Sequence, residues 1–382
     1  MKDIVIFAGS IGNTYSIVKS VTKRIKTRIL IVFVNEKYAS FFRYNRLVYD
    51  TEDWKIDSIE TFQKKIELWY DKYLFVEKPI VYCTSDETCI LISKMREWFE
   101  DRFVLTLPSN FIISTFNNKS TSIVEAGKHN IRLPLSKDIH NVGDIVSVEK
   151  FNFPVILKPL DYRSLGMIGF KVLVCYDYLS FKSQSLSILE KGISFQCQEY
   201  IEGGDEKSWF YIFYRSKNGT IVDCIGKKTV QHPVGQGIMA IGTSCDNETI
   251  KNISRTFLNQ IDYIGIGGIE YKQNKSDYYF IEMSTRSEGF IRISDIAGIP
   301  IPLISYCDIC NLPYYTFVLK QQDGKLYVDI IIYLIHILKN SEWGKILKIP
   351  TLLFSRKTII NVYPFTYYWF IFKQAIRKLL KM

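Results

Sequence analysis

The chain has little of what clustered metal or disulfide chemistry requires. Its eight cysteines are scattered through 382 residues, and the one close pair, Cys307 and Cys310, has no second pair and no grouping of the four histidines to complete it. A zinc site draws four such ligands together, so none is expected, and the thiols read as reduced. Long hydrophobic runs are missing too: the longest apolar stretch, residues 330–338, falls short of the roughly 20 residues that cross a bilayer. No transmembrane helix is expected. No signal-like apolar region stands before the strand-forming run Asp3-Ile4-Val5-Ile6-Phe7, so the expected compartment is cytosolic. A dinucleotide fingerprint is incomplete, because Gly9 and Gly12 lack a third glycine and no acidic residue closes the second strand where one is needed.

What is present is ordinary for a globular protein. Hydrophobic residues make up 47% and charged residues 23% of the chain, which excludes a disordered or fibrous protein. The length suits two or three domains. A net charge of +10 admits anionic partners, whether nucleotides, an anionic membrane or nucleic acid, but no nucleic-acid-binding motif accompanies it.

The first hundred residues read as strand, glycine turn, helix, strand. Ile4 to Phe7 lead into Ala8-Gly9-Ser10-Ile11-Gly12, a periodic segment runs to about Lys26, and Ile29 to Val34 form a buried strand. Such a βαβ opening implies an open, mostly parallel sheet. Residues 80–83 form a further strand that ends in the helix-capping cluster Thr84-Ser85-Asp86-Glu87. Past Leu107 the texture changes to short strands and glycine loops. Lys158 ends the apolar strand Pro154-Val155-Ile156-Leu157-Lys158-Pro159, and the loop that follows carries Arg163, Gly166 and Gly169 ahead of Lys171. This loop suits backbone wrapping of phosphates, and a lysine ending an apolar strand is often just surface punctuation. The segment Gln198-Glu199-Tyr200-Ile201-Glu202-Gly203-Gly204-Asp205 runs from a strand into a turn, suited either to reading an adenine edge or to an ordinary Gly-Gly turn.

The most informative stretch lies further on. Gly267-Gly268-Ile269-Glu270-Tyr271-Lys272 and Tyr279-Phe280-Ile281-Glu282-Met283-Ser284-Thr285-Arg286 flank turn residues at 274–277 and predict a β-hairpin centred on Ser276. Side chains alternate along strands, so Glu270 and Glu282 would face each other, with Ser284 and Arg286 on the same side. Opposed like charges destabilise a sheet, and a hard divalent ion between them would resolve the repulsion. A solvated acidic edge hairpin is the plainer alternative. The final residues, 367–381, place Trp369, Phe372 and Ile376 on one helical stripe and Lys373, Arg377 and Lys381 on another. That pattern fits membrane-surface docking and packing on the protein body equally well.

Taken in order, the Lys158 strand, the Gln198 to Asp205 run and the two arms of the hairpin resemble the ATP-grasp superfamily. More narrowly, the chain looks like the carboxylate-amine ligases found near cell-envelope and polysaccharide genes, a group related to D-aspartate ligase and carbamoyl phosphate synthase. The resemblance implies a fold that is α/β and α+β: an N-terminal open parallel-sheet pre-ATP-grasp domain over residues 1–105, then an ATP-grasp domain over 106–315 with a mobile lid subdomain at about 145–198. A C-terminal helical tail, the basic amphipathic extension 316–382, would follow.

The resemblance also implies ATP and Mg2+ as cofactors. Lys158 would meet the α-phosphate, with Lys171 a second phosphate ligand beyond the loop of Arg163. Glu199, Tyr200 and Ile201 would lie at the adenine edge and Asp205 on the ribose. Glu270, Glu282 and Ser284 would hold the metal, although Ser284 stands where relatives usually have Asn, a stronger ligand. Arg286 would steady the transferred phosphoryl group, and Lys228 or His232 would face the acceptor. The implied chemistry activates a small carboxylate as an acyl phosphate and joins it to an amine, in the cytoplasm or at the inner face of the membrane, with a homodimer compatible. Two rivals stand beside it: a non-catalytic ATP-binding regulatory protein, suggested by Ser284, and a nucleic-acid-binding protein, suggested by charge alone.

Overall fold

The computed structural model describes residues 1–160, 166–170, 172–235, 237–313, 320–360 and 363–379. Three sheets organise them. The first is wholly parallel, with β1 (Ile4–Ala8), β2 (Ile29–Val34), β3 (Asp50–Trp54), β4 (Ile80–Cys83) and β5 (Val104–Leu105) in the order β3-β2-β1-β4-β5. β1, β2 and β4 are buried along their whole length, because both faces of this sheet are covered. On one face, helix α1 (Ile11–Thr22) contributes Ile17, Val18 and Val21; on the other, α2 (Ile59–Lys72) packs Phe62, Ile66 and Trp69 against Phe7 and Trp54. Ser10 caps α1 by accepting from the Asn13 amide, and Ser85 caps α3 (Asp86–Lys94) by accepting from the Thr88 amide. A Cβ on Gly9 would stand 2.5 Å from that of Ser85, so glycine at 9 lets the two turns touch.

The second sheet is antiparallel: β6 (Ser136–Ile139), β7 (Val155–Pro159), β8 (Leu173–Cys175) and β9 (Phe195–Glu199), in the order β6-β9-β7-β8. It has a core of its own, including Ile139, Leu157, Phe181 and Phe195.

The third and largest sheet joins β10 (Ser208–Arg215), β11 (Ile221–His232), β12 (Ile238–Ser244), β13 (Gly265–Asn274), β14 (Asp277–Ser284), β15 (Leu326–Val328) and β16 (Thr358–Ile360). Their order is β14-β13-β10-β11-β12-β15-β16, antiparallel except between β15 and β16. Period-two alternation divides β10 between two cores. Phe210, Ile212 and Tyr214 join the N-terminal sheet and the helix Ile301–Ile309, whereas Tyr211 and Phe213 join Phe257 and Leu258 of the helix Glu248–Gln260.

The C-terminal segment differs from the expected helical tail. β15 pairs with β12, and β16 pairs with β15, so this segment supplies two strands of the main sheet before its helices. Asp329 caps the helix Ile330–Lys339, and the Tyr363 hydroxyl donates to Asp329 Oδ2 at 2.6 Å. The last helix, Phe365–Leu379, lays Tyr367 and Phe370 on Phe41 of the N-terminal unit, with ring centroids 5.2 and 5.4 Å away. Packing on the body is therefore observed for one face of this helix; Phe365 and Trp369 remain exposed. Among the described residues, no helix is long and apolar enough to cross a membrane.

Candidate active site

A cleft opens between the small antiparallel sheet and the main one. Its walls combine apolar side chains (Ile156, Val172, Ile201, Ile281) with a cationic floor. The register of the main sheet builds that floor. Ser208 on β10 lies opposite Lys228 on β11 and opposite Lys272 on β13, so two lysines flank one serine in a row across three strands. Lys272 Nζ donates to Ser208 Oγ at 3.1 Å and to the Gly204 carbonyl at 2.9 Å. Burial lowers its pKa, the Lys228 charge adds to the lowering, and Asp205 and Glu206 oppose it. Lys158, at the end of β7, donates to Gln198 Oε1 at 2.6 Å from the facing strand β9. Buried lysines converging on one space favour an anion there.

The hairpin meets this floor. Its turn falls at Lys275 and Ser276, since Asn274 pairs with Asp277, so it is not centred on Ser276. A β-bulge makes up the difference: Tyr271 pairs with Phe280 but Glu270 with Glu282, leaving Ile281 as the extra residue. The two carboxylates therefore stand opposite each other, as parity predicts, although by another route. Their repulsion is relieved by lysines, a feature that strand parity alone does not show. Lys228 Nζ lies 2.6 Å from Glu270 Oε2, and Lys119 Nζ 4.0 Å from Glu282 Oε2. An opposed carboxylate pair is thus no proof of a metal by itself.

A second cavity shares Lys228, Gly237, Glu270 and Glu282 with the first. Ser284, Arg286 and Glu288 line it, together with Ser10 and Asn13 from the N-terminal turn and Asp329 and Tyr363 from the C-terminal segment. Arg286 donates to Asp86 Oδ1 at 2.8 Å, which ties the end of the hairpin to the first turn of α3, and stands 3.6 Å from Glu288 Oε2. Burial works against its charge, but Asp86 and Glu288 outweigh burial and raise its pKa. Burial raises the pKa of Glu288 from its ordinary value, with the Glu270 and Glu282 charges adding to the rise against the pull of Arg286 and a hydrogen bond with Ser284. Gly268 makes room for it: a Cβ there would lie 2.9 Å from Glu288 Cγ.

Of the residues singled out from sequence, Lys158, Glu199, Tyr200, Ile201, Lys228, Glu270 and Glu282 line the first cleft, and Ser284 and Arg286 the second cavity. Asp205 lines neither, although its partners Gln231 and Gly235 line the first cleft. Its carboxylate accepts from the Gln231 and Gly235 amides and from Gln231 Nε2, fastening the loop between β11 and β12. His232 is likewise absent from both linings and lies beside His336, with ring centroids 6.1 Å apart. Arg163 and Lys171 lie outside the described residues. Lys119, Gln198, Gln231, Lys272 and Glu288 were missed. For Lys272 a signal existed, since it stands two residues from Glu270 and so shares its face.

Magnesium with a nucleotide fits this donor set. Magnesium is usually held by one or two carboxylates, the substrate phosphates and water rather than by a protein cage. Among the described residues, no group of three or more His, Cys, Asp or Glu that could hold a metal ion is present.

No protein-family model matches the chain, and no curated protein matches its sequence. Solved structures do. The chain is similar to N5-carboxyaminoimidazole ribonucleotide synthetase in its ADP complex, with a TM-score of 0.66 and 14% identity over 89% of this chain and 85% of that one. The biotin carboxylase domain of 2-oxoglutarate carboxylase from Hydrogenobacter thermophilus, solved with MgADP, ADP and bicarbonate, gives 0.65 and 13% identity over 85% and 73% of the two chains. L-amino acid ligase from Bacillus licheniformis gives 0.60 and 13% over 79% and 72%. The chain therefore has the ATP-grasp fold.

Proposed function

We propose that this protein is an ATP- and magnesium-dependent ligase that activates a small carboxylate as an acyl phosphate and joins it to an amine, in the cytoplasm and in cell-surface polysaccharide or envelope metabolism. One observation carries the reading: the meeting of Lys158, Lys228 and Lys272 with the opposed pair Glu270 and Glu282 beneath apolar walls, in one cleft of an ATP-grasp fold. Phosphoryl transfer relies on positioning and charge rather than on an unusual base, so such a site is chemically sufficient. The apolar walls would sandwich the adenine beside Glu199, Tyr200 and Ile201, and the lysines would bind the phosphates. Glu270 and Glu282 would hold magnesium, which when bound neutralises the phosphate charge. Arg286 would steady the transferred phosphoryl group, and the second cavity that it lines would receive the carboxylate. A carboxylate oxygen attacks the γ-phosphorus and ADP departs; the amine nitrogen then attacks the acyl carbon, and phosphate leaves with loss of one amine proton.

The tests are ADP release over pooled amino acids, amino sugars and nucleotide sugars, with product mass spectrometry, and trapping of the acyl phosphate by hydroxylamine as a hydroxamate. Carboxylate-dependent ADP release supports the ligase. ATP binding without turnover on any pool supports the rival reading of a regulatory ATP-binding protein, which the Lys228 to Glu270 ion pair and Ser284 favour.

A further inference from the structure

We propose that the outer surface of the C-terminal segment, from residue 330 onward, docks on an anionic lipid bilayer. The inference does not depend on the ligase reading.

Charge is the first observation. Residues 330–382 contain nine Lys and Arg against a single acid, Glu342, and so hold +8 of the chain's net +10 in their 53 residues. The other 329 residues, with 40 basic and 38 acidic side chains, are nearly neutral. The basic character of the protein is thus a property of this one segment.

Exposed apolar side chains are the second observation. Among the described residues, ten of the 26 exposed large hydrophobics fall between Leu334 and Phe370. Single exposed hydrophobics are normal on a protein surface, but a concentration rimmed by charge is not. Here the two kinds alternate. Leu347, 82% exposed, adjoins exposed Lys348; Phe354, 87% exposed, precedes exposed Arg356 and Lys357; Lys373 Nζ stands 5.1 Å over the Trp369 ring. Tryptophan is distributed the same way: Trp54, Trp69 and Trp209 are buried in cores, whereas Trp343 and Trp369 are 57% and 51% exposed. Aromatic rings with a polar edge settle at the membrane interface, and cations beside them meet lipid phosphates.

Chemistry selects the occupant. A second copy of the chain would bring +8 against +8. Nucleic acid would satisfy the lysines but would leave Leu338, Leu347 and Phe354 in water. A bilayer with anionic headgroups offers both a negative surface and an apolar layer beneath it. Because no described helix can span a membrane, the segment would lie on the surface, with the apolar side chains and the charge as the two signals that stable peripheral binding needs.

The test uses the full chain and vesicles of phosphatidylcholine with or without phosphatidylglycerol. Wild type should sediment with the mixed vesicles, bind phosphatidylcholine alone at least roughly tenfold more weakly, and release as salt is raised. Brominated acyl chains should quench tryptophan fluorescence, and the double variant Trp343→Ser, Trp369→Ser should lose both quenching and binding. Lys348→Glu with Arg356→Glu and Lys357→Glu should weaken binding at least tenfold while melting temperature and ATP affinity stay at wild-type values. Equal binding to both vesicle types, no quenching, a dimer that shields the two tryptophans, or tighter binding to RNA or DNA than to the mixed vesicles would each overturn the proposal.

Discussion

Lys228 Nζ lies 2.6 Å from Glu270 Oε2, and the lysine is only 5% exposed, so the carboxylate proposed to hold metal is also the counter-charge of a buried cation. Removing one partner of a buried ion pair strands the other and costs about 3 kcal/mol. Glu270→Gln should therefore lower the apo melting temperature clearly. Glu282→Gln, at a carboxylate whose side chain is 34% exposed, should change it little, while both variants should lose turnover. Thermal melts without nucleotide check this; equal losses from the two substitutions would reject the asymmetry.

Lys158 stands at a strand end against Gln198 rather than inside an apolar cluster. Lys158→Ala should leave the fold intact and weaken ATP binding at least tenfold, roughly 1.4 kcal/mol. Calorimetric titration with MgATP measures it. Unchanged affinity would place the phosphates elsewhere.

Ser284 lies opposite Gly268 and hydrogen-bonds with Glu288. An amide oxygen is a stronger ligand for a hard cation than a hydroxyl, so Ser284→Asn should tighten Mn2+ binding in the presence of ADP, read by electron paramagnetic resonance. Identical Mn2+ titrations for variant and wild type would show that position 284 does not reach the metal.

Asp295 accepts from Ser20 at 2.6 Å, and burial pushes its pKa up to about 6. A carboxyl raised above its unfolded value of about 3.9 contributes stability that is complete below that value and is lost as pH rises through the folded pKa. Between about pH 4 and 6 wild type should thus lose on the order of 3 kcal/mol that Asp295→Asn does not lose, by the cost of about two pH units. Urea unfolding at both ends of that window gives the comparison. Parallel pH profiles for the two proteins would contradict it.

Much of this architecture is legible in the sequence. β1, β2 and β4 are unbroken apolar runs because both their faces are covered, and that signal needs no tertiary information. The opposition of Glu270 and Glu282 was readable from parity, yet the bulge at Ile281 that produces it was not, since nothing about isoleucine there announces an extra residue. The contacts of Asp205 were not legible, because a carboxylate after Gly-Gly suits many roles and its amide partners stand 26 and 30 residues away. β15 and β16, at three residues each, carry no pattern of their own and exist through pairing with a strand far earlier in sequence. Glu288 and Lys119 lie outside the hairpin strands, where alternation says nothing.

The stitching of β15 onto β12 also limits how the chain can be shortened. A cut before Leu326 would strip the neighbour from β12 and leave its backbone donors and acceptors as an open edge, a template for pairing between molecules. The same cut would remove Val328, Tyr333 and Ile337, which cover Ala240 and Ile241 of that strand. The C-terminal segment is thus no appendage that can be deleted to learn what it does: a truncated protein would report on aggregation before it reported on function, and only point substitutions on the outward face separate the two.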